Sequence, residues 1–261
     1  MNTAILAAST LWKREMVRFY RQPSRLMGAL ASPFLFWILI GSGLGRSFKV
    51  GGSLARLSYL EYFFPGTLLM ILLFTAIFST ISIIEDRREG FLQSVLVAPI
   101  PRASFVLGKI LGGTSLALIQ ALLFLLIAPF IGIHMSGLGW IKMTAVLFLN
   151  GMALTSLGFL IAWQFHSIQG FHAVMNLFLI PLWLLSGALF PPEGAARWLQ
   201  VVMKWNPLSY GLNSLRLCLF PETGAGRLSL GFSMGVTALF GLALFALASL
   251  SAARRSPRDL R

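Results

Sequence analysis

Apolar residues run along the chain in long charge-free windows, separated by short basic stretches. A membrane-crossing helix needs about 20 mostly apolar residues. The windows that satisfy this predict spans over 26–45, 62–84, 110–133, 143–163, 173–192 and 228–253. The stretch Met143–Pro192 holds 50 residues without a formal charge, too long for one helix, and the polar cluster at 164–172 divides it. Six spans place both termini on one side.

Three segments between or before the windows are richer than topology requires. Residues 1–25 begin with a helical repeat in which Trp12, Met16 and Phe19 follow one row and Arg14, Arg18 and Arg21 another. Basic residues opposite aromatics suit a helix lying in the headgroup layer. The second segment, 85–104, carries mixed charge at Glu85, Asp86, Arg87, Arg88 and Glu89, then Gly90, and closes on Pro99 and Pro101. The prolines stop helix propagation, which leaves room for about two turns with Phe91, Leu92, Val95 and Leu96 on one face. Such a face needs lipid or protein to cover it, so this segment is expected to dock on a partner. The third segment, 193–227, places Trp198, Leu199, Val202 and Trp205 at helical spacing. Asn206-Pro207 then reads as an N-cap and first helical position ahead of Tyr210. Two short apolar helices there predict a re-entrant pair shaping an outer gate.

Composition and charge narrow the class. Of 261 residues, 57% are hydrophobic and only 11% charged; soluble domains carry about 25% charged residues. A water-soluble enzyme and a disordered chain are excluded. The net charge of +13 would suggest nucleic acid in a soluble protein; here it flanks apolar windows. With the N-terminus inside, the inner segments hold 13 Lys and Arg and the outer ones 8, which orients both termini to the cytoplasm. The excess reads as a topology signal and an anchor for anionic lipid, with no nucleic-acid footprint. The apolar run Ala4–Ala8 precedes Lys13 and Arg14, the reverse of a signal peptide.

Chemistry-bearing residues are sparse. Cys218 stands alone and reads as a small apolar filler. No Gly-x-x-x-x-Gly-Lys-Ser/Thr stretch occurs, so ATP hydrolysis is not expected from this chain. His166 and His172 are six apart, read as turn residues and do not converge on a metal; no metal site is expected. The predicted spans hold essentially no ionisable residue, which argues against proton coupling. Gly41-x-x-x-Gly45, Gly108-x-x-x-Gly112 and Gly231-x-x-x-Gly235 allow close helix approach, although 25 glycines make chance matches expected. The aromatics Phe34, Trp37, Phe63 and Trp183 are candidates to line a path for an amphipathic cargo.

Several stretches taken together resemble a known family: Arg21-Gln22-Pro23-Ser24-Arg25, Phe64-Pro65-Gly66, Glu85–Gly90, Val97-Ala98-Pro99, Gly108-Lys109, Leu185–Pro191, Trp205–Tyr210 and Arg216. In order and spacing they resemble the membrane subunit of type-2 ABC exporters, which includes daunorubicin-type drug, nodulation-factor and O-antigen exporters. The resemblance implies an all-α, six-span permease that forms a homodimer and binds one cytoplasmic ATPase per copy, with ATP and Mg held by the ATPase and no cofactor on this chain. It implies that the 85–97 segment is a coupling helix, the 11–21 segment an interfacial connecting helix, and 194–220 a pair of re-entrant helices. It also implies residence in a bacterial cytoplasmic membrane and export of a drug, lipid or lipid-linked glycan. Phe91 departs from the family, where many relatives carry Thr after the Gly. A membrane assembly or scaffold protein, or a secondary carrier, remains the alternative reading of the residues.

Overall fold

In the computed structural model the described residues are 3–21, 23–44, 57–221 and 228–254, and they form eleven α-helices and no strand. The helices are α1 (Thr3–Tyr20), α2 (Pro23–Gly43), α3 (Tyr59–Ser79), α4 (Ile81–Arg88), α5 (Phe91–Val97), α6 (Arg102–Leu125), α7 (Gly137–Gln164), α8 (Ile168–Leu184), α9 (Arg197–Trp205), α10 (Pro207–Leu219) and α11 (Leu230–Arg254). Gln22, Gly45, Arg46, Lys49, Arg56, Arg227, Arg255, Arg258 and Arg261, on which parts of the motif and charge reading rest, lie outside the described residues.

Among the described residues, four helices are long and apolar enough to cross a membrane: Tyr59–Arg88 (α3 continued by α4), Arg102–Ile131 (α6 with the 3-10 turn that follows), α7 and α11. Leu30–Gly43 and α8 are apolar but shorter. The expected window 173–192 is shifted. Its helix begins at Ile168 and ends at Leu184, because Ser167 caps the start by accepting from the Gly170 amide at 3.3 Å. Past Leu184 the chain turns through Gly187 at φ +90°, a conformation β-carbon sterics disfavour in other residues.

Polar punctuation sets the other boundaries. The Ser58 hydroxyl accepts from the Glu61 amide, and the Ser58 amide donates back to the Glu61 carboxylate at 2.7 Å; this capping box starts α3. Ser136 caps α7 by accepting from the Gly139 amide at 3.2 Å. Asn206 accepts from the Leu208 amide at 3.0 Å and its side-chain amide donates to the Leu182 carbonyl, so the predicted cap also ties α10 to the end of α8.

The centre of the fold is α3. It is apolar all round and buried from Phe63 to Leu73, as expected of a helix enclosed by protein. It is flanked by α2, α6 and α7; α11 packs along α7, and α1 lies along α6. That last contact explains one glycine pair. A β-carbon on Gly108 would meet the Ala8 carbonyl and Leu11 at 2.8 Å, and one on Gly112 would meet Glu15 at 2.7 Å. In the first repeat Gly41 likewise faces Leu60 of α3, at 2.5 Å from its β-carbon position, while Gly45 lies outside the described residues. Among the described residues nothing approaches the β-carbon position of Gly231 or Gly235 within 4 Å, so that repeat seats no described helix.

Three of the four aromatics proposed as a path are packed between helices. Trp37 lies edge-on to Phe64 and Phe124 at 5.6 Å each, and Trp183 sits 6.1 Å from both Phe36 and Phe63. Trp37, Phe63 and Trp183 are buried, with Trp37 donating to the Leu60 carbonyl and Trp183 to that of Gly66. Indole rings with satisfied N–H groups between helices are a stable way to fill such space. Phe34, the fourth, is exposed on α2.

Candidate functional site

The site is built where α1, α4, α5 and α6 converge. The 85–97 segment forms two helices. α4 prolongs α3 past Thr80, and α5 starts after Gly90, whose φ of +75° allows the reversal. Pro99 and Pro101 close it as predicted.

The structure departs from the sequence reading in what the charges do. Asp86 is fully buried. Arg14 reaches it with two parallel bonds of 2.8 and 3.1 Å, Arg18 adds one at 3.2 Å, and the Lys109 ammonium donates to its other side. Lys109 also donates to Glu15 at 2.6 Å and to the Ser82 hydroxyl at 3.2 Å. Arg18 pairs with Glu85 at 2.9 Å and reaches Glu89 at 3.5 Å. A lone buried charge is costly, whereas opposite charges with their hydrogen bonds made can be accommodated. Burial opposes the charge on Arg14. The bond and charge of Asp86, with Glu15 and Glu89 near, nonetheless hold its pKa above the ordinary arginine value.

Arg87 serves a different helix. It donates to the Trp163 and Phe165 carbonyls at 2.8 Å each, at the C-terminal end of α7. Those carbonyls have no intrahelical donor, and a cation is favoured at that end of the helix dipole. Arg88 donates to the His166 carbonyl. Asp86 and Arg87 are therefore spent inside the chain, which corrects their assignment as partner-contacting residues. Leu92 and Val95 are corrected likewise. They turn inward with Leu96 and are buried against the chain's own core, so the apolar face of α5 is covered from within. Phe91 is half-buried, with the Arg14 guanidinium 3.8 Å above its ring. What this loop presents outward is Arg88, Glu89, Ser94 and Val97, the last 74% exposed.

On α1 the sequence identified two rows and missed a third. Ala8, Leu11 and Glu15 form the buried row against α6. Trp12, Met16 and Phe19 flank it, with Trp12 donating to the Ser115 hydroxyl. Arg14 and Arg18 face the acids, and Arg21 is exposed. Glu15 and Lys109 were the missed residues. Lys109 begins an apolar window and was read as its flank, yet it sits within the apolar helix Arg102–Ile131. The one signal was Gly108-Lys109 with Gly112, a glycine face beside a charge.

The outer-gate candidates do not converge. On α9, Trp198 and Trp205 are exposed, Val202 is exposed and Met203 turns inward. Asn206 and Pro207 start α10, and the Tyr210 hydroxyl donates to the Lys204 carbonyl. The polar link at this end is one the motif contained without a role. Arg216 donates to the Gly187 carbonyl at 2.6 Å and lies 4.5 Å over the Tyr62 ring, whose hydroxyl shares that carbonyl at 3.0 Å. It joins α10, α3 and the 185–190 turn. His166 lies in a turn as read, but His172 stands in α8 with its ring 4.9 Å from Phe78. Cys218 is buried in α10. No cluster of three or more potential metal ligands occurs among the described residues.

Residues 7–220, from α1 through α10 and so including the whole ion cluster, match the ABC-2 type transporter family. The chain belongs to that family. It is 29% identical over 209 residues to ycf38 of Cyanophora paradoxa, named as a transport permease, covering 79% of this chain and 71% of the relative. Nodulation protein J of Rhizobium leguminosarum bv. trifolii is 26% identical over 216 residues, 79% of this chain and 78% of that one. The daunorubicin resistance ABC transporter permease DrrB1 of Streptomyces coeruleorubidus is 20% identical over 249 residues, 91% and 84%. Family and apolar helices together make this a multi-pass membrane protein of the transporter permease kind.

Proposed function

We propose that this chain is the permease subunit of an ATP-driven exporter, working as a homodimer of six-span subunits with a separate cytoplasmic ATPase on each. The observation that carries the reading is the family match running through the α1–α4–α6 ion cluster. A relative named as an ABC transporter permease adds to it. ATP and Mg belong to the partner, and this chain contributes motion. The ATPase rests on the outward residues of the 88–97 loop. A push there moves α4 and, through Asp86, carries α1 and α6 with it. ATP binding then favours one packed arrangement of the helices over another, by its differential affinity for the two. With both termini cytoplasmic, α9 and α10 sit at the far face of a bacterial inner membrane. The cargo is amphipathic or lipid-like, in keeping with helices whose outward faces are apolar.

The test is isolation of the tagged chain from native membranes in mild detergent. An ABC ATPase is expected to co-purify, and Val97→Asp, at an exposed position, is expected to release it while leaving the permease folded. Repeated recovery of the folded chain with no ATPase overturns the reading and favours a scaffold.

A further inference from the structure

The N-terminal helix α1 has three arcs, and one of them is buried against the core. Ala8, Leu11 and Glu15 are buried against α6. Beside them runs an apolar arc with Ile5, Trp12, Met16 and Tyr20, of which Tyr20 is 88% exposed. The remaining arc is basic. Thr10, Lys13, Arg14, Val17, Arg18 and Arg21, with Glu89 of the loop, line an open groove of about 620 Å³.

Four cations and one carboxylate edge this groove. Arg14 and Arg18 form its inner wall, fixed on Asp86 and Glu85. Lys13 and Arg21 are exposed and have no acidic partner among the described residues. Oriented guanidinium groups suit phosphate, which accepts parallel N–H donors. The arc next to Lys13 is the apolar one, and a helix with this division lies in the headgroup layer of a bilayer.

We propose that this groove binds the phosphate of an anionic membrane phospholipid. Lys13 and Arg21 contact the phosphate, Arg14 and Arg18 back it, and the acyl chains follow the apolar arc past Met16 and Tyr20. The apolar arc distinguishes a lipid from a free phosphate ion, which would use the cations alone. The proposal requires only that the chain lies in a bilayer. It stands or falls separately from the ATPase and the cargo.

The experiment places the full chain in phosphatidylcholine nanodiscs with or without phosphatidylglycerol. Retained lipid is counted by native mass spectrometry, and the unfolding midpoint is followed. The natural chain is expected to retain phosphatidylglycerol selectively and to unfold at a higher temperature with it. Each basic residue near an anionic surface is worth about 1 kcal/mol. Lys13→Gln/Arg21→Gln is therefore expected to weaken that retention roughly 10- to 30-fold, with phosphatidylcholine unaffected. Arg197→Gln/Lys204→Gln, on α9, is the charge-matched control and should retain the lipid. Equal retention by the Lys13/Arg21 variant overturns the proposal. So does inorganic phosphate raising the midpoint as far as phosphatidylglycerol does, which makes the site one for a free anion. Loss of a co-purifying protein with lipid retention intact assigns the arc to a protein partner and overturns it too.

Discussion

The Lys109 ammonium lies 2.6 Å from the Glu15 carboxylate, and both side chains are buried at the seam of α6 and α1. The same ammonium donates to Asp86 of α4, so one cation joins α4 and α6 to the N-terminal helix, 94 positions away in sequence.

Removing that cation leaves the buried Glu15 carboxylate with only Arg14, at 3.5 Å, and takes from Asp86 one of its three cations. Lys109→Met is expected to destabilise the chain by about 3–5 kcal/mol, the range for breaking a buried pair. Combining it with Glu15→Gln should recover part of the loss, since one uncompensated charge disappears. Thermal unfolding of the purified single and double variants reads both numbers; strictly additive losses would mean that the two residues do not interact.

Asp86→Asn keeps the shape of the side chain and removes the charge on which Arg14, Arg18 and Lys109 meet. If the cluster transmits motion, the variant still binds the ATPase but transports at least about tenfold more slowly, the effect of roughly 1.4 kcal/mol on the rate-limiting step. Transport and ATPase assays on the same reconstituted complex separate these outcomes. Unchanged transport would remove the cluster from the mechanism.

Gly112→Leu forces a side chain into the space held by the Glu15 side chain, and overpacking typically costs about 1–3 kcal/mol. Gly235→Leu, with no described residue within 4 Å of its β-carbon position, should fold with its midpoint little changed. Comparing the two unfolding midpoints checks which glycine repeat holds helices together.

Asn206→Ala loses the N-cap of α10 and the bond to the Leu182 carbonyl. A cap is worth about 0.5–2 kcal/mol, so a loss near the upper end is expected here. Asn206→Asp, which can still accept from the Leu208 amide, should recover the capping share. Unfolding midpoints of the two variants decide it.

The pattern of apolar windows is enough to give a helical membrane chain, because crossing a bilayer demands long apolar helices and leaves few other solutions. Local chemistry also set features that need only neighbouring residues: the stop at Pro99 and Pro101, the short helix after Gly90, and the cap at Asn206. The partners of the charges were beyond its reach. Arg14, Glu15, Asp86 and Lys109 look like solvated flanks when read in order, since each stands next to other polar or basic residues. Only packing shows that Gly108 and Gly112 let α1 lie against α6, and that this contact brings the four into one buried cluster. The same holds for Trp37, Phe63 and Trp183, whose spacing fits a path equally well but whose neighbours in the fold make them packing. Sequence by itself determined the helical membrane class, the short helix after Gly90 and the cap at Asn206, because these follow from local periodicity and local hydrogen bonds. Tertiary structure alone decided which charges are buried, because burial depends on residues about seventy to a hundred positions away, and Coulomb pairing acts across space without regard to chain order.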